Sequence, residues 1–123
     1  MYTLDTNAIL YYAQNEVHAV ARIDRLFATM LPIYVSAASV TEALSPKLLP
    51  ASEREAIEGM LRGLIFVPVD MPIARQAAEL RSSYGLKLGD AMIAATTLFT
   101  GSSLVTRNIR DFRRVPSLAI EAI

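Results

Sequence analysis

Four acidic residues occupy positions from which carboxylates commonly do chemistry: Asp5 at the end of the first apolar stretch, Glu42 in a helix after the second, Asp90 at a helix start, and Asp111 after the last long strand. Carboxylates brought to close range cannot all ionise without compensation, and a divalent cation is the simplest compensation. Magnesium prefers oxygen ligands, is usually held by one or two carboxylates, and keeps several waters. Such an ion lowers the pKa of a bound water and stabilises charge on a phosphoryl oxygen, so the quartet would support metal-assisted phosphodiester hydrolysis.

Each acid also has a structural use. Asp5 belongs to Asp5-Thr6-Asn7, a capping and turn sequence in which Thr6 and Asn7 are expected to cap the helix that follows. Asp90 suits a helix N-terminus through the macrodipole. Glu42 reads equally as a solvated helix residue. Asp111 lies in Arg107-Asn108-Ile109-Arg110-Asp111-Phe112-Arg113-Arg114, where it can pair with arginines. That stretch is the only strong basic cluster. Beside an acidic crevice, Arg107, Arg110 and Arg113 are candidates to hold RNA phosphates; the alternative is a solvated surface loop.

The elements that must position these residues follow from hydrophobic period and punctuation. Tyr2 to Asn7 reads as a short buried strand, with Ala8 to Tyr12 an apolar run beyond it. Val17 to Met30 has a helical period, with Val20, Ile23, Leu26, Phe27 and Met30 apolar, and Pro32 stops it. Ile33 to Val35 is a strand and Ser36 to Leu44 a helix with Val40, Ala43 and Leu44 facing inward. A helix from Ser52 to about Gly63 is expected to open with a Ser52–Glu55 capping box. Leu64 to Val69 is a strand that Pro68 confines to an edge or an end. Asp70 and Pro72 open a helix through Tyr84, which Gly85 closes. In Leu88 to Phe99, the residues Leu88, Ala91, Met92, Ala95, Leu98 and Phe99 are expected to form the buried face. Ser103 to Thr106 and Leu118 to Ile120 complete the strands. Alternating strands and helices without repeats predict one α/β domain over residues 1–123, a three-layer α/β/α sandwich around a parallel sheet of four to five strands. In such a sheet, ligands bind outside the carboxyl ends of the strands, where these acids can converge.

Composition narrows the alternatives. Lys plus Arg and Asp plus Glu each number 12, so net charge is zero and nucleic-acid contact has to be local. There is no cysteine, which removes disulfides, thiol catalysis and thiolate metal sites. His18 is the one histidine, so neither a Ser-His-Asp triad nor a multi-histidine zinc site has its usual parts; it is expected at the surface or at a cap. The N-terminus has no basic region and carries Asp5 within its apolar stretch, unlike a signal peptide. The longest uncharged runs, Leu26 to Thr41 and Ala91 to Thr106, contain Pro32 and Gly101 and fall short of the roughly 20 apolar residues of a membrane helix. A soluble, cytoplasmic protein is expected. Hydrophobic residues reach 53% and mean hydropathy is +0.34, which predicts an apolar patch covered by a partner or a second copy, with the second helix and its neighbours at a dimer interface.

The ordered set Asp5-Thr6-Asn7, Val40-Thr41-Glu42-Ala43-Leu44, Leu88-Gly89-Asp90-Ala91-Met92-Ile93-Ala94-Ala95-Thr96 and Leu104-Val105-Thr106-Arg107-Asn108 with Asp111-Phe112 resembles the PIN-domain ribonucleases of the VapC toxin type. Each motif alone is weak, and their combination in order over essentially the whole chain is specific. The resemblance implies an endoribonuclease dependent on Mg2+ or Mn2+, a homodimer, and inhibition by a cognate antitoxin protein. It also implies an RNA substrate such as transfer or ribosomal RNA, cut to 5′-phosphate and 3′-hydroxyl ends. Matched position by position, Asp5, Glu42, Asp90 and Asp111 take the family's acidic quartet, with Asn7, Thr106 and Asn108 as supporting polar groups. A phosphatase of the haloacid dehalogenase type fits less well, because it requires an Asp where Asn7 stands. A phosphate-receiver domain requires a lysine after a late strand, where this chain has Arg107. A PIN-like domain that binds RNA or a partner without cutting is the remaining alternative.

Overall fold

In the computed structural model, which describes residues 1–123, five short strands form one parallel sheet covered by helices on both faces. The elements in order are β1 (Tyr2–Leu4), α1 (Thr6–Ala13), α2 (Val17–Ala28), β2 (Ile33–Ser36), α3 (Ala37–Leu44), α4 (Ala51–Leu61), β3 (Ile65–Val67), α5 (Met71–Tyr84), α6 (Leu88–Thr100), β4 (Ser103–Thr106), α7 (Ile109–Phe112) and β5 (Ile120–Ala122). The strand order is β3-β2-β1-β4-β5, with Leu4 beside both Val35 and Val105. From β1 the chain builds outward first to one side and then to the other. The change of direction lies between β1 and β4, the place where an open α/β sheet leaves a crevice at its carboxyl edge.

Alternation along the strands divides the core between two faces. Leu4, Ile33, Val35 and Val105 pack with Ile9 of α1, Ile23 and Leu26 of α2, Ala43 of α3 and Ile57 of α4. Leu104 and Val67 pack on the opposite side with Ile73, Ala77 and Leu80 of α5, Ala91, Ala94 and Ala95 of α6, and Phe112. This is the expected three-layer sandwich. No helix is long and apolar enough to cross a membrane.

Several local expectations are corrected. Asp5, rather than Thr6 or Asn7, is the N-cap of α1, so β1 ends one residue before it. Helix α2 stops at Ala28, where the Thr29 hydroxyl donates to the Leu26 carbonyl and Met30 takes a left-handed φ of 60°. No Ser52–Glu55 box forms: Pro50 holds the N-cap position and α4 begins at Ala51, so Ser52 falls inside the first turn and the helix has no side-chain cap. Strand β3 is shorter than the apolar run around it, and Pro68 lies just past its end on the sheet edge. The basic stretch contains a short helix, α7, capped by Asn108, and β5 lies two residues later than its apolar pattern suggests. In α6, Leu88 and Phe99 point outward, 53% and 60% exposed, while Thr96 and Thr97 are buried. Their hydroxyls donate to the carbonyls of Met92 and Ile93, so burial leaves neither one unpaired. His18 is exposed, its amide held by Glu16, the N-cap of α2. Ile23 and Leu26 of α2 face the core of this chain, and the exposed large apolar side chains include Val17 of α2, Met30 just beyond it, Ile65 and Phe66 of β3, Met71 of α5 and Leu88 of α6.

Candidate active site

Asp5 stands where β1 becomes α1, only 4% exposed. One carboxylate oxygen accepts the Ala8 amide at 2.7 Å, closing the first turn of α1, and the other accepts the Thr106 hydroxyl at 2.5 Å. Thr106 is the last residue of β4, so this second bond spans the point where the sheet changes direction. The same hydroxyl accepts the Asn108 amide at 2.9 Å, which fixes the turn leaving β4. Burial pushes the Asp5 carboxyl above the ordinary carboxylate range; the bonds from Thr106 and Ala8 pull it back, and the nearby Asp90 and Glu42 add to the rise.

Glu42 lies on an exposed part of α3, yet its carboxylate is directed back toward α1 and α6. It accepts the Thr6 hydroxyl at 2.9 Å. It also lies against Gly89 so closely that a Cβ added there would stand 2.9 Å from one of its oxygens. Asp90 lies in the first turn of α6, half-buried. Burial is again the main cause of its raised pKa, followed by Glu42 and Asp111, with Lys87 opposing.

These three carboxylates share a cleft of about 90 Å³, also lined by Thr6, Asn7, Ile93 and Asn108. No cationic side chain lines it. Asp111 does not line it either. It faces an adjoining cleft of about 270 Å³ with Gly85, Leu86, Lys87, Asp90, Arg110 and Arg114. There it accepts from the Asn108 side-chain amide at 3.0 Å and from Arg114 at 3.1 Å. The Asn108 bond, aided by Arg114, Arg110 and Lys87, holds its carboxyl below the usual range. Asn108 therefore touches the acid cleft and tethers Asp111 beside it, while Asp90 lines both clefts.

The arginines separate in the same way. Arg107 is engaged: it pairs with Glu16, stands 4.3 Å over the Tyr11 ring, and donates to the Ile123 carbonyl. Arg113 lines neither cleft, whereas Arg110 lines the larger one. The Arg114–Asp111 pair, three residues apart, is the local arginine pairing expected for Asp111, whereas Lys87, Gly89 and the Thr6–Glu42 bond escape sequence reasoning because each takes its place against a segment distant in the chain.

The donor set fits a hard divalent cation. It consists of carboxylate, hydroxyl and amide oxygens with no soft ligand, and three acids face a common space without a protein cation to neutralise them. No three acidic or histidine side chains stand close enough to hold an ion by themselves. An ion in this cleft would therefore take one or two carboxylate ligands and complete its shell with water.

Comparison with known proteins agrees with this architecture. Over 126 residues the chain is 25% identical to the tRNA(fMet)-specific endonuclease VapC of Salmonella typhimurium, covering 98% of this chain and 96% of that protein. The VapBC2 complex of Rickettsia felis bound to a promoter DNA fragment superposes with a TM-score of 0.84 at 22% identity, over 99% of this chain and 98% of the other. A toxin-antitoxin complex from Klebsiella pneumoniae gives 0.80 at 24% identity, over 97% and 96% of the two chains. The family model of the PIN domain matches residues 2–118, and the chain belongs to the PIN-domain family.

Proposed function

We propose that this protein is a divalent-metal-dependent endoribonuclease, the toxin of a toxin-antitoxin pair, with transfer or ribosomal RNA as substrate. The observation that carries the reading is the cleft of Asp5, Glu42 and Asp90, which gathers three carboxylates without a protein cation at the carboxyl edge of the sheet. The likeness to a VapC endonuclease and to toxin-antitoxin complexes supports the substrate class and an antitoxin protein as partner. A homodimer is the assembly we assign, on the exposed apolar residues of β3, α5 and α6.

Asp5, Glu42 and Asp90 would hold Mg2+ or Mn2+, which supplies Lewis acidity for activating water and neutralising charge on the phosphoryl group. The chain's own groups prepare that site. Thr106 and the Ala8 amide fix the Asp5 carboxylate, and Thr6 orients Glu42. Gly89 leaves the space that Glu42 occupies. Asn108 and Asp111 act behind these three, Asn108 from the edge of the cleft and Asp111 through it. Asn7 lines the cleft as a polar group available to substrate or water.

The test is cleavage of a transfer-RNA and ribosomal-RNA panel by antitoxin-free protein in magnesium, manganese or EDTA, comparing wild type with Asp90→Asn. Metal-dependent cutting at discrete sites, lost in the variant, is the expected result. Folded wild-type protein that binds no metal and behaves like the variant would replace the nuclease with a binding-only domain.

A further inference from the structure

The 270 Å³ cleft beside the acid cleft has a different electrostatic character. Of its three cations, Arg114 is committed to Asp111, while Lys87 and Arg110 form no salt bridge. Asp111, the acid on that wall, is already satisfied by Asn108 and Arg114. The cleft thus presents two cations that form no salt bridge, beside a neutralised Asp111 and with Asp90 on the wall it shares with the acid cleft. Its wall at Gly85, Leu86 and Lys87 leads directly into α6, whose first turn has no side-chain cap, so the positive end of the helix dipole adds to the same field. Asp90 lines both clefts, and the two are therefore contiguous.

A site for one phosphate needs charge and donors, and the acid cleft offers a polyanion only repulsion until a cation fills it. A second phosphate held next door would offset that repulsion. We propose that Lys87 and Arg110 bind the RNA phosphate neighbouring the scissile one, making the larger cleft a substrate-positioning subsite. This rests on the endoribonuclease reading of the acid cleft. It assigns phosphate contact to Lys87 and Arg110 rather than to Arg107, which Glu16 and Tyr11 occupy, or Arg113, which lies outside both clefts. An acidic protein segment is the less favoured occupant, since it would run from these cations into the carboxylates of the acid cleft with nothing to gain there.

The test compares wild type with Lys87→Ala, Arg110→Ala, the double variant, Lys87→Arg and the control Arg113→Ala. Binding of a fluorescein-labelled single-stranded RNA is followed by anisotropy in EDTA across a salt series, and cleavage kinetics are measured in magnesium. The double variant is expected to bind about tenfold more weakly and to lose about 0.7 from the slope of log K against log salt, the value for one phosphate contact on a single strand. KM should rise while kcat holds, Lys87→Arg should retain most of the affinity, and Arg113→Ala should match wild type. Cleavage with KM and salt slope unchanged in the double variant overturns the subsite and leaves the nuclease standing. Loss of RNA affinity in the double variant without cleavage by wild type keeps the phosphate site and removes the nuclease. Competition by poly-glutamate equal to that by RNA, lost in the double variant, overturns the proposal in favour of a protein ligand.

Discussion

Replacing Gly89 by alanine separates stability from function in one step. The new Cβ would stand 2.9 Å from one Glu42 oxygen, 3.1 Å from the other and 3.2 Å from the carboxyl carbon. Ordinary van der Waals contact begins near 3.4 Å, so the carboxylate must withdraw by about half an ångström. Glu42 is the flexible end of an exposed side chain and yields at little cost, giving up its 2.9 Å bond from Thr6. The backbone gains, because alanine in a helix is favoured over glycine by up to about 1 kcal/mol, less in a first turn. For a domain of this size that corresponds to a Tm higher by at most about 4 °C. A misplacement of about 1 Å can cost on the order of a hundredfold in rate, so half that distance predicts a loss of about tenfold in kcat/KM. Calorimetry in EDTA, with RNA cleavage on the same preparation, reads both effects. A variant with full activity, or one whose activity falls only because Tm falls, would refute the placement of Glu42 in the site.

Three further outcomes follow from the same geometry. Asp90→Asn is expected to raise stability to urea at pH 7 in EDTA. The raised folded pKa of Asp90 means the native state holds its proton longer than the unfolded chain does, so this carboxyl's ionisation costs stability as pH rises from the ordinary value of 3.8 through its folded value. The advantage of the variant should therefore disappear below that window, and added magnesium should stabilise wild type but not the variant. Thr106→Val leaves buried Asp5 with one fewer donor and should cost about 1 to 3 kcal/mol in denaturant unfolding while raising the Asp5 pKa further. Asp111→Asn, outside the acid cleft, should lower cleavage by about ten- to a hundredfold, as for a supporting group, whereas Asp90→Asn abolishes it.

Much of the architecture was legible because strands and helices alternate with clear punctuation; Asp5 and Asp90 stood out by their places at element ends, and Glu42, inside α3, only through the ordered motifs that resemble the family. The outward turn of Leu88 and Phe99 could not. A helical period finds one apolar stripe, while α6 is packed by α5, α3 and the sheet together and buries residues on several sides, including Thr96 and Thr97. Helix α7 has four residues, too few for a period to show. Arg107 and Arg110 are the same residue in the same basic run, and what separates them is Glu16 and Tyr11, which reach only one of them. Gly89 has no role of its own in the motif around Asp90, because its importance lies in a carboxylate carried by another helix.

The bonds of Asp5 bear on how an inactive form of this protein should be made. One carboxylate starts α1, joins the ends of β1 and β4, and faces the acid cleft. Under the proposed function its removal would blunt cleavage and loosen the frame together, and a lost phenotype in cells would report both at once. Asp90 carries no cap bond and no strand-to-strand link, so an Asp90→Asn protein is the better bait for capturing an intact RNA or an antitoxin without reshaping the surface they meet. Genetic drift should treat the two positions just as differently: a lineage that abandons cutting can discard Asp90 freely, but it has reason to keep Asp5.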